Sequence, residues 1–276
     1  MTAEKVSLTG EKQTLLITLY GKAEESRLPD SVLHDRFAAA AVDRIDHDFS
    51  HMNVTRDIMI ALALRAHILD RWTKAFLTFH PGCTVLHLGC GLDSRVFRVD
   101  PPPGVRWFDV DYPEVIELRR RLYPMREGYQ LIGTSLTESG WLQSIPANRP
   151  ALILAEGVTP YLPVDATLPL LDQLTAHFPG GELAFDAYSR LGLRIIRKQP
   201  FVRASGAKVH WSLEDPHTIE QAIPRLKLMQ DLHAYAPEGY DPRQIARMTK
   251  GTRAAIWLFQ VIPALGKVGR LLRFRF

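Results

Sequence analysis

Two glycines one residue apart, closing a short apolar run and followed by an acid, make a backbone that a ligand can approach closely. The stretch is Leu86-His87-Leu88-Gly89-Cys90-Gly91-Leu92-Asp93-Ser94. Neither glycine has a Cβ, so the loop can bend tightly and leave room for a bound group. A dinucleotide-binding GxGxxG would need a third glycine where Ser94 stands. Asp93 also falls near the start of the next helix, where it would compete with a pyrophosphate for the same amide groups. NAD and FAD therefore fit poorly. A ligand without phosphate and with a cation fits better, and S-adenosylmethionine carries a sulfonium, an ammonium and a ribose.

A ribose partner should be a carboxylate at the tip of the following strand. In "VRWFDVDYP" the apolar run ends at Asp111, twenty residues beyond Gly91, near the spacing that sets an acid on ribose hydroxyls in related folds. Capping is the competing account. Asp93 could cap its helix, and Asp111 with Glu114 and Pro113 could form a capping box. Capping leaves the paired glycines unexplained.

The elements that would carry these residues follow from pattern. Up to about residue 80 apolar residues recur at helical spacing, as in "ALALRAHILDRWTKAFLTF". Beyond Pro81-Gly82 come strand-length runs, "CTVLHLGC", "VRWFDVD", "YQLIGTS", "PALILAEG" and "GGELAFDAYS", separated by helix-length segments. Apolar strands alternating with helices predict a parallel sheet covered on both faces. The pattern resumes at "RLKLMQDLHAYA" and ends in "RLLRFRF", an alternation expected of a half-exposed strand. We expect one domain over residues 1–276: a helical cap (1–80), a core (81–189), a lid insertion (190–223) and C-terminal strands with a helix (224–276).

Composition narrows the partners. The 276 residues are 46% hydrophobic, with 34 basic against 30 acidic side chains and two cysteines. The basic residues are spread along the chain, so a pI near 9.1 argues little for nucleic acid. Two cysteines supply neither a disulfide framework nor a thiolate metal site, and no metal ligand set is legible. The polar start "MTAEKVSLTGEKQTLL" does not read as a secretory leader, and "AAIWLFQVIPALG" is too short to span a bilayer. The expectation is a cytoplasmic protein with no nucleic-acid or membrane partner and an unspecified oligomeric state.

"LGCGLDSRVFRV", "VRWFDVDYPEVIELRRRLYP" and "ALILAEGVTPYLP" together resemble the leucine carboxyl methyltransferase family, especially its bacterial branch containing polyketide O-methyltransferases. "LYGKAEESRLPDSVLHDRFAAAAVDRI" and "LRAHILDRW" are similar to that family's helical N-terminal part. The resemblance implies a class I methyltransferase fold, Rossmann-like, with a seven-stranded mainly parallel sheet and an antiparallel last strand, using S-adenosylmethionine. It implies that Gly89, Cys90, Gly91 and Asp93 form the cofactor loop and that Asp111, with Tyr112, meets the ribose. Arg65 matches an arginine for the methionine carboxylate, and Glu156, with Gly157, an acid closing the pocket. Ser135-Leu136 falls where many members carry Asp-Leu against the adenine; here that acid is missing. Read from the residues alone, Arg65 could equally belong to a solvated face with Arg56 and Arg71.

Methyl transfer from a sulfonium is an in-line displacement, so alignment and exclusion of water are the main demands. A carboxylate acceptor, of ordinary pKa about 4, needs no base; a phenol, of about 10, would gain from one. Candidate catalytic groups are Tyr161, Asp186, Tyr188 and His210. Arg194, Arg197, Lys198 and Arg203 could draw in an anionic substrate or simply be solvated. The acceptor expected is a small molecule. Esterification of a protein or peptide C-terminus and a catalytically silent cofactor-binding scaffold are the alternatives. Base methylation would call for a polar-Pro-Pro-aromatic motif where Gly157-Val158-Thr159-Pro160-Tyr161 stands.

Overall fold

The architecture is that of a computed structural model describing residues 4, 5, 12 and 14–276. Most of the polar start of the chain lies outside the described residues. Three helices come first: α1 (Thr14–Ser26), α2 (Arg36–Arg44) and the long α3 (Arg56–Phe79). Thr55 caps α3 by accepting from the Ile58 amide. The expected apolar runs then become β1 (Thr84–Leu88), β2 (Arg106–Asp111), β3 (Tyr129–Gly133), β4 (Ala151–Ala155) and β5 (Gly181–Tyr188). Between them lie α4 (Arg95–Val99), α5 (Pro113–Leu122) and α6 (Val164–His177). Beyond β5 come α7 (Arg190–Lys198), α8 (Pro200–Ser205), α9 (His217–Ala222) and β6 (Lys227–His233). The chain closes with α10 (Pro242–Ile245), α11 (Lys250–Val261), α12 (Pro263–Gly266) and β7 (Gly269–Arg275).

These seven strands form one sheet in the order β3-β2-β1-β4-β5-β7-β6, and residues 4–5 pair with 45–46 in a separate two-stranded one. β1 to β5 are mutually parallel, while β7 runs antiparallel to both neighbours, β5 and β6. The last strand alone is reversed, because β7 returns between β5 and β6. Its outer half alternates as its sequence predicts, with Phe274 buried and Arg275 exposed.

Alternate residues of each strand feed two cores. Leu86, Phe108, Ile153, Phe185 and Phe274 pack under α6, with Leu170, Leu171 and Leu174. Val85, Trp107, Leu152 and Leu154 pack against Ile60, Leu64, Leu69 and Phe76 of α3. Burial on both faces is why β1 and β4 are apolar throughout. The order changes direction between β1 and β4, and the loops after those strands open there, at the carboxyl edge where ligands bind in open α/β sheets.

Candidate active site

A cavity of about 410 Å³ opens at that edge, between the strand tips, α1 and α3. Its size suits a nucleoside-sized ligand. Gly89 and Gly91 have φ of +54° and +50°, the left-handed region that a side chain disfavours. A Cβ on Gly89 would also lie 2.4 Å from Val158 Cγ2. Gly89→Ala should therefore lower stability by about 2–4 kcal/mol, from backbone strain and overpacking. The double variant with Val158→Ala should recover only the packing part, which chemical denaturation of the four-member cycle would separate.

Asp111 accepts from the Gly91 amide at 2.7 Å and from its neighbour Tyr112 at 2.7 Å. It links the first strand loop to the second strand tip. The capping box is not formed: Tyr112 occupies the N-cap of α5 with no side-chain cap, and Glu114 pairs with Lys12. Nor does Asp93 cap α4. Its carboxylate receives Lys22 Nζ at 2.8 Å and Arg98 Nη1 at 2.6 Å. Burial pushes the Asp111 carboxyl above its usual value, against the pull of the two amides.

Arg65 does not lie on a solvated face. Its Nε donates to Glu156 Oε1 at 3.1 Å, and its Nη1 to Asp186 Oδ2 at 3.0 Å and to Tyr188 Oη at 3.2 Å. Gly157 turns away from β4 at φ +69°, and a Cβ there would sit 3.5 Å from Arg65 Nη2. The missing side chain keeps that edge of the guanidinium approachable. Glu156 is ringed by Lys22 at 3.0 Å, Arg65 and Arg95.

The expected cofactor residues Arg65, Gly89, Cys90, Gly91, Asp93, Asp111, Tyr112, Ser135, Leu136, Glu156 and Gly157 all line the cavity. Tyr161 and Tyr188 line it too, but Asp186 and His210 do not. Asp186 is 2% exposed and fully engaged: Oδ1 accepts from the Gly157 amide at 2.6 Å, and Oδ2 from Arg65 and Tyr188. It braces the turn after β4. The His210 ring is exposed, and its backbone amide binds the Pro160 carbonyl at 2.7 Å. Burial drives the Tyr188 phenol well above its usual pKa, so it can orient a neighbour but does not ionise near neutrality. The Cys90 thiol is raised in the same way.

Sequence reasoning missed Lys22, which is 3% exposed and bridges Asp93 to Glu156 from α1. It also missed the arginines behind them. Arg95 joins Glu156 to Asp70, and Arg98 joins Asp93, Asp70 and Asp35. The one signal for Lys22 is its place three residues after Leu19, on the buried stripe of α1.

Burial opposes ionisation of Asp70, Asp93, Asp109 and Glu156, yet facing cations outweigh it and hold all four below their usual pKa, Asp109 at about 2. Their stabilisation is thus fully present above the unfolded carboxylate range and lost as pH falls toward 2. Thermal unfolding across pH 6 to 2 should show Tm falling steeply below about pH 4. A flat profile would break this account.

Sheet order and cavity define a class I methyltransferase fold. The profile of the leucine carboxyl methyltransferase family matches residues 16–175, more than half of the chain, which belongs to that family. The chain is 42% identical over 275 residues to the tetracenomycin polyketide synthesis O-methyltransferase TcmP of Streptomyces glaucescens, with 99% of each covered. It is 36% identical over 260 residues to the S-adenosyl-L-methionine-dependent methyltransferase dpfgK of Gibberella zeae, covering 85% of this chain and 87% of that one. Among solved structures, an S-adenosylmethionine dependent methyltransferase from Mesorhizobium loti aligns with a TM-score of 0.54 at 15% identity. That alignment covers 77% of this chain and all of the other, and shows the fold. The chain is an S-adenosylmethionine-dependent methyltransferase.

Proposed function

We propose that the chain methylates a hydroxyl or carboxyl oxygen of a small molecule in specialised metabolism, within one cytoplasmic domain. The observation that carries this is the cavity itself, which holds a glycine cradle, a strand-tip carboxylate and an arginine edge in one space. S-adenosylmethionine supplies, when bound, a methyl group on a sulfonium open to in-line attack. Asp111 would accept the ribose hydroxyls, and Arg65 Nη2, which bonds no described residue, would meet the methionine carboxylate. Asp93 and Glu156 would face the ammonium and sulfonium end. Leu136, with the backbone of Ser135, would border the adenine, since Ser135 Oγ is paired with Thr137 Oγ1.

The far side of the cavity is walled by Ile58 and Leu62 of α3, Ile196 of α7, Tyr161 and Tyr188. We assign this side to the acceptor and residues 190–223 to its cover. Asp186 is committed to bracing and His210 is turned outward, so Tyr161 and Tyr188 remain to orient the acceptor oxygen. The resemblance to TcmP and dpfgK supports a small acceptor. Isothermal titration with S-adenosylhomocysteine, against NADH as control, tests the site. Micromolar binding of the first alone is expected; no binding by a folded sample would overturn the reading.

A further inference from the structure

Charge and exposed apolar surface are concentrated in the same late segments of the chain. From Ser189 to Leu213 there are six basic residues and no acidic one, and from Pro242 to Phe276 eight and none. Net charge is only +4, so the remainder of the chain is acidic and the asymmetry is strong. The second segment carries α11, of whose residues Ile256 alone is buried. Trp257 is 60% exposed, Val261 51%, Leu258 42%, and Ile262 at the helix end 41%.

Helical spacing puts these on one face. Lys250, Arg253, Trp257 and Val261 follow one another at three- and four-residue steps, with Leu258 and Ile262 beside them. Among the described residues Lys250, Arg253 and Lys267 have no carboxylate partner. Asp57, the acid nearest the start of α11, is occupied by Thr249 and Thr252. Gln260 is turned to the Tyr235 carbonyl. The residue that caps α7 meets the chain just beyond α12, since the Ser189 amide donates to the Val268 carbonyl at 3.3 Å. α7 itself exposes Leu191 and Ile195, while its Ile196 lines the cavity.

We propose that α11, with its basic flank, is a docking surface for an anionic lipid bilayer. An amphipathic helix presenting tryptophan and aliphatic side chains beside lysine and arginine lies in the membrane interface, its apolar face among acyl chains and its cations among headgroups. The face offers few directional hydrogen-bond groups, which suits a fluid surface better than a structured protein partner. A second copy across a two-fold axis would set Lys250, Arg253 and Lys267 against themselves. Docking there makes no demand on length, and no described helix is long and apolar enough to cross a membrane. Its use rests on the proposed function: an apolar acceptor held in the bilayer would enter past α7 into the cavity.

The test is co-sedimentation of the full chain with phosphatidylcholine vesicles, with and without about one third phosphatidylglycerol. Binding to the anionic vesicles alone is expected, weakened by salt and cut roughly tenfold in both Trp257→Ser/Val261→Ser and Lys250→Glu/Arg253→Glu. These side chains are exposed, and each variant should keep the parent's Tm and affinity for S-adenosylhomocysteine. Absence of vesicle binding, or equal binding by the variants, overturns the proposal. Concentration-dependent self-association abolished by Trp257→Ser would assign the face to a second copy, and an acidic carrier protein binding where vesicles do not would assign it to protein. Loss of S-adenosylhomocysteine binding with vesicle binding intact would instead indict the methyltransferase site.

Discussion

Asp111→Asn should cut the affinity for S-adenosylhomocysteine roughly a hundredfold in a protein that remains folded. The carboxylate has two duties. Its oxygens already hold the Gly91 and Tyr112 amides, and their remaining lone pairs are what a ribose diol can use. A charged acceptor on two hydroxyls is worth about 1.5–3 kcal/mol per bond, so losing the charge and one acceptor costs about two decades in Kd. Asp111 stands at the strand tip the sequence predicts, but it is only 9% exposed, so the variant also costs stability. One backbone amide would then face the new NH2 group, at about 1–3 kcal/mol. Because burial raises the Asp111 pKa, affinity should also fall as pH drops, beginning above the usual carboxylate range. Calorimetric titration alongside a thermal melt separates the two duties. Unchanged affinity in a folded Asp111→Asn would remove the ribose assignment.

Lys22→Met should lower stability by about 3 kcal/mol, a fall in Tm of roughly 6–12 °C. The methionine fills much of the same volume, so the loss is electrical. Asp93 and Glu156 would keep their arginines but lose the cation between them, and both are buried. Removing one partner of a buried pair leaves an uncompensated charge in a medium that solvates it poorly. The double variant Lys22→Met/Glu156→Gln should recover part of the loss, since it deletes charge from both sides. If the double variant were no better than the single, Lys22 would matter for packing alone.

The two variants differ in how visible their targets are in the sequence. Asp111 is legible because a strand, a glycine loop and a second strand are local patterns, and local patterns set where strand tips fall. The five parallel strands β1 to β5 sit where apolar runs stand between turn residues, for the same reason. Lys22 resists such reading. In "LYGKAEES" a lysine matches the polar part of a helix, and only its neighbours on the stripe argue otherwise. Its partners come from loops after β1 and β4, and no spacing rule connects them. The same holds for Asp186, whose position near a strand tip suggests chemistry, whereas three donors converging on it make it a brace. His210 was a candidate by residue type alone, and its ring points to solvent.

The span of that lysine's contacts also bears on the order of assembly. Lys22 meets Asp93 across 71 residues and Glu156 across 134. Until β1 and β4 lie side by side, Lys22 has no counter-ions, although Leu16, Leu19 and Ala23 can already pack on Ala38, Ala41 and Val42 of α2. Contacts of such reach close late, because the loops they span must first be ordered. Synthesis therefore yields α1 and α2 early and pairs Lys22 late. During that interval a helix pair carrying an unmatched charge is exposed to chaperones and to neighbouring nascent chains. The lysine on the helix that walls the cavity thus closes the structure like a latch, locking the two strand loops beneath it once they meet.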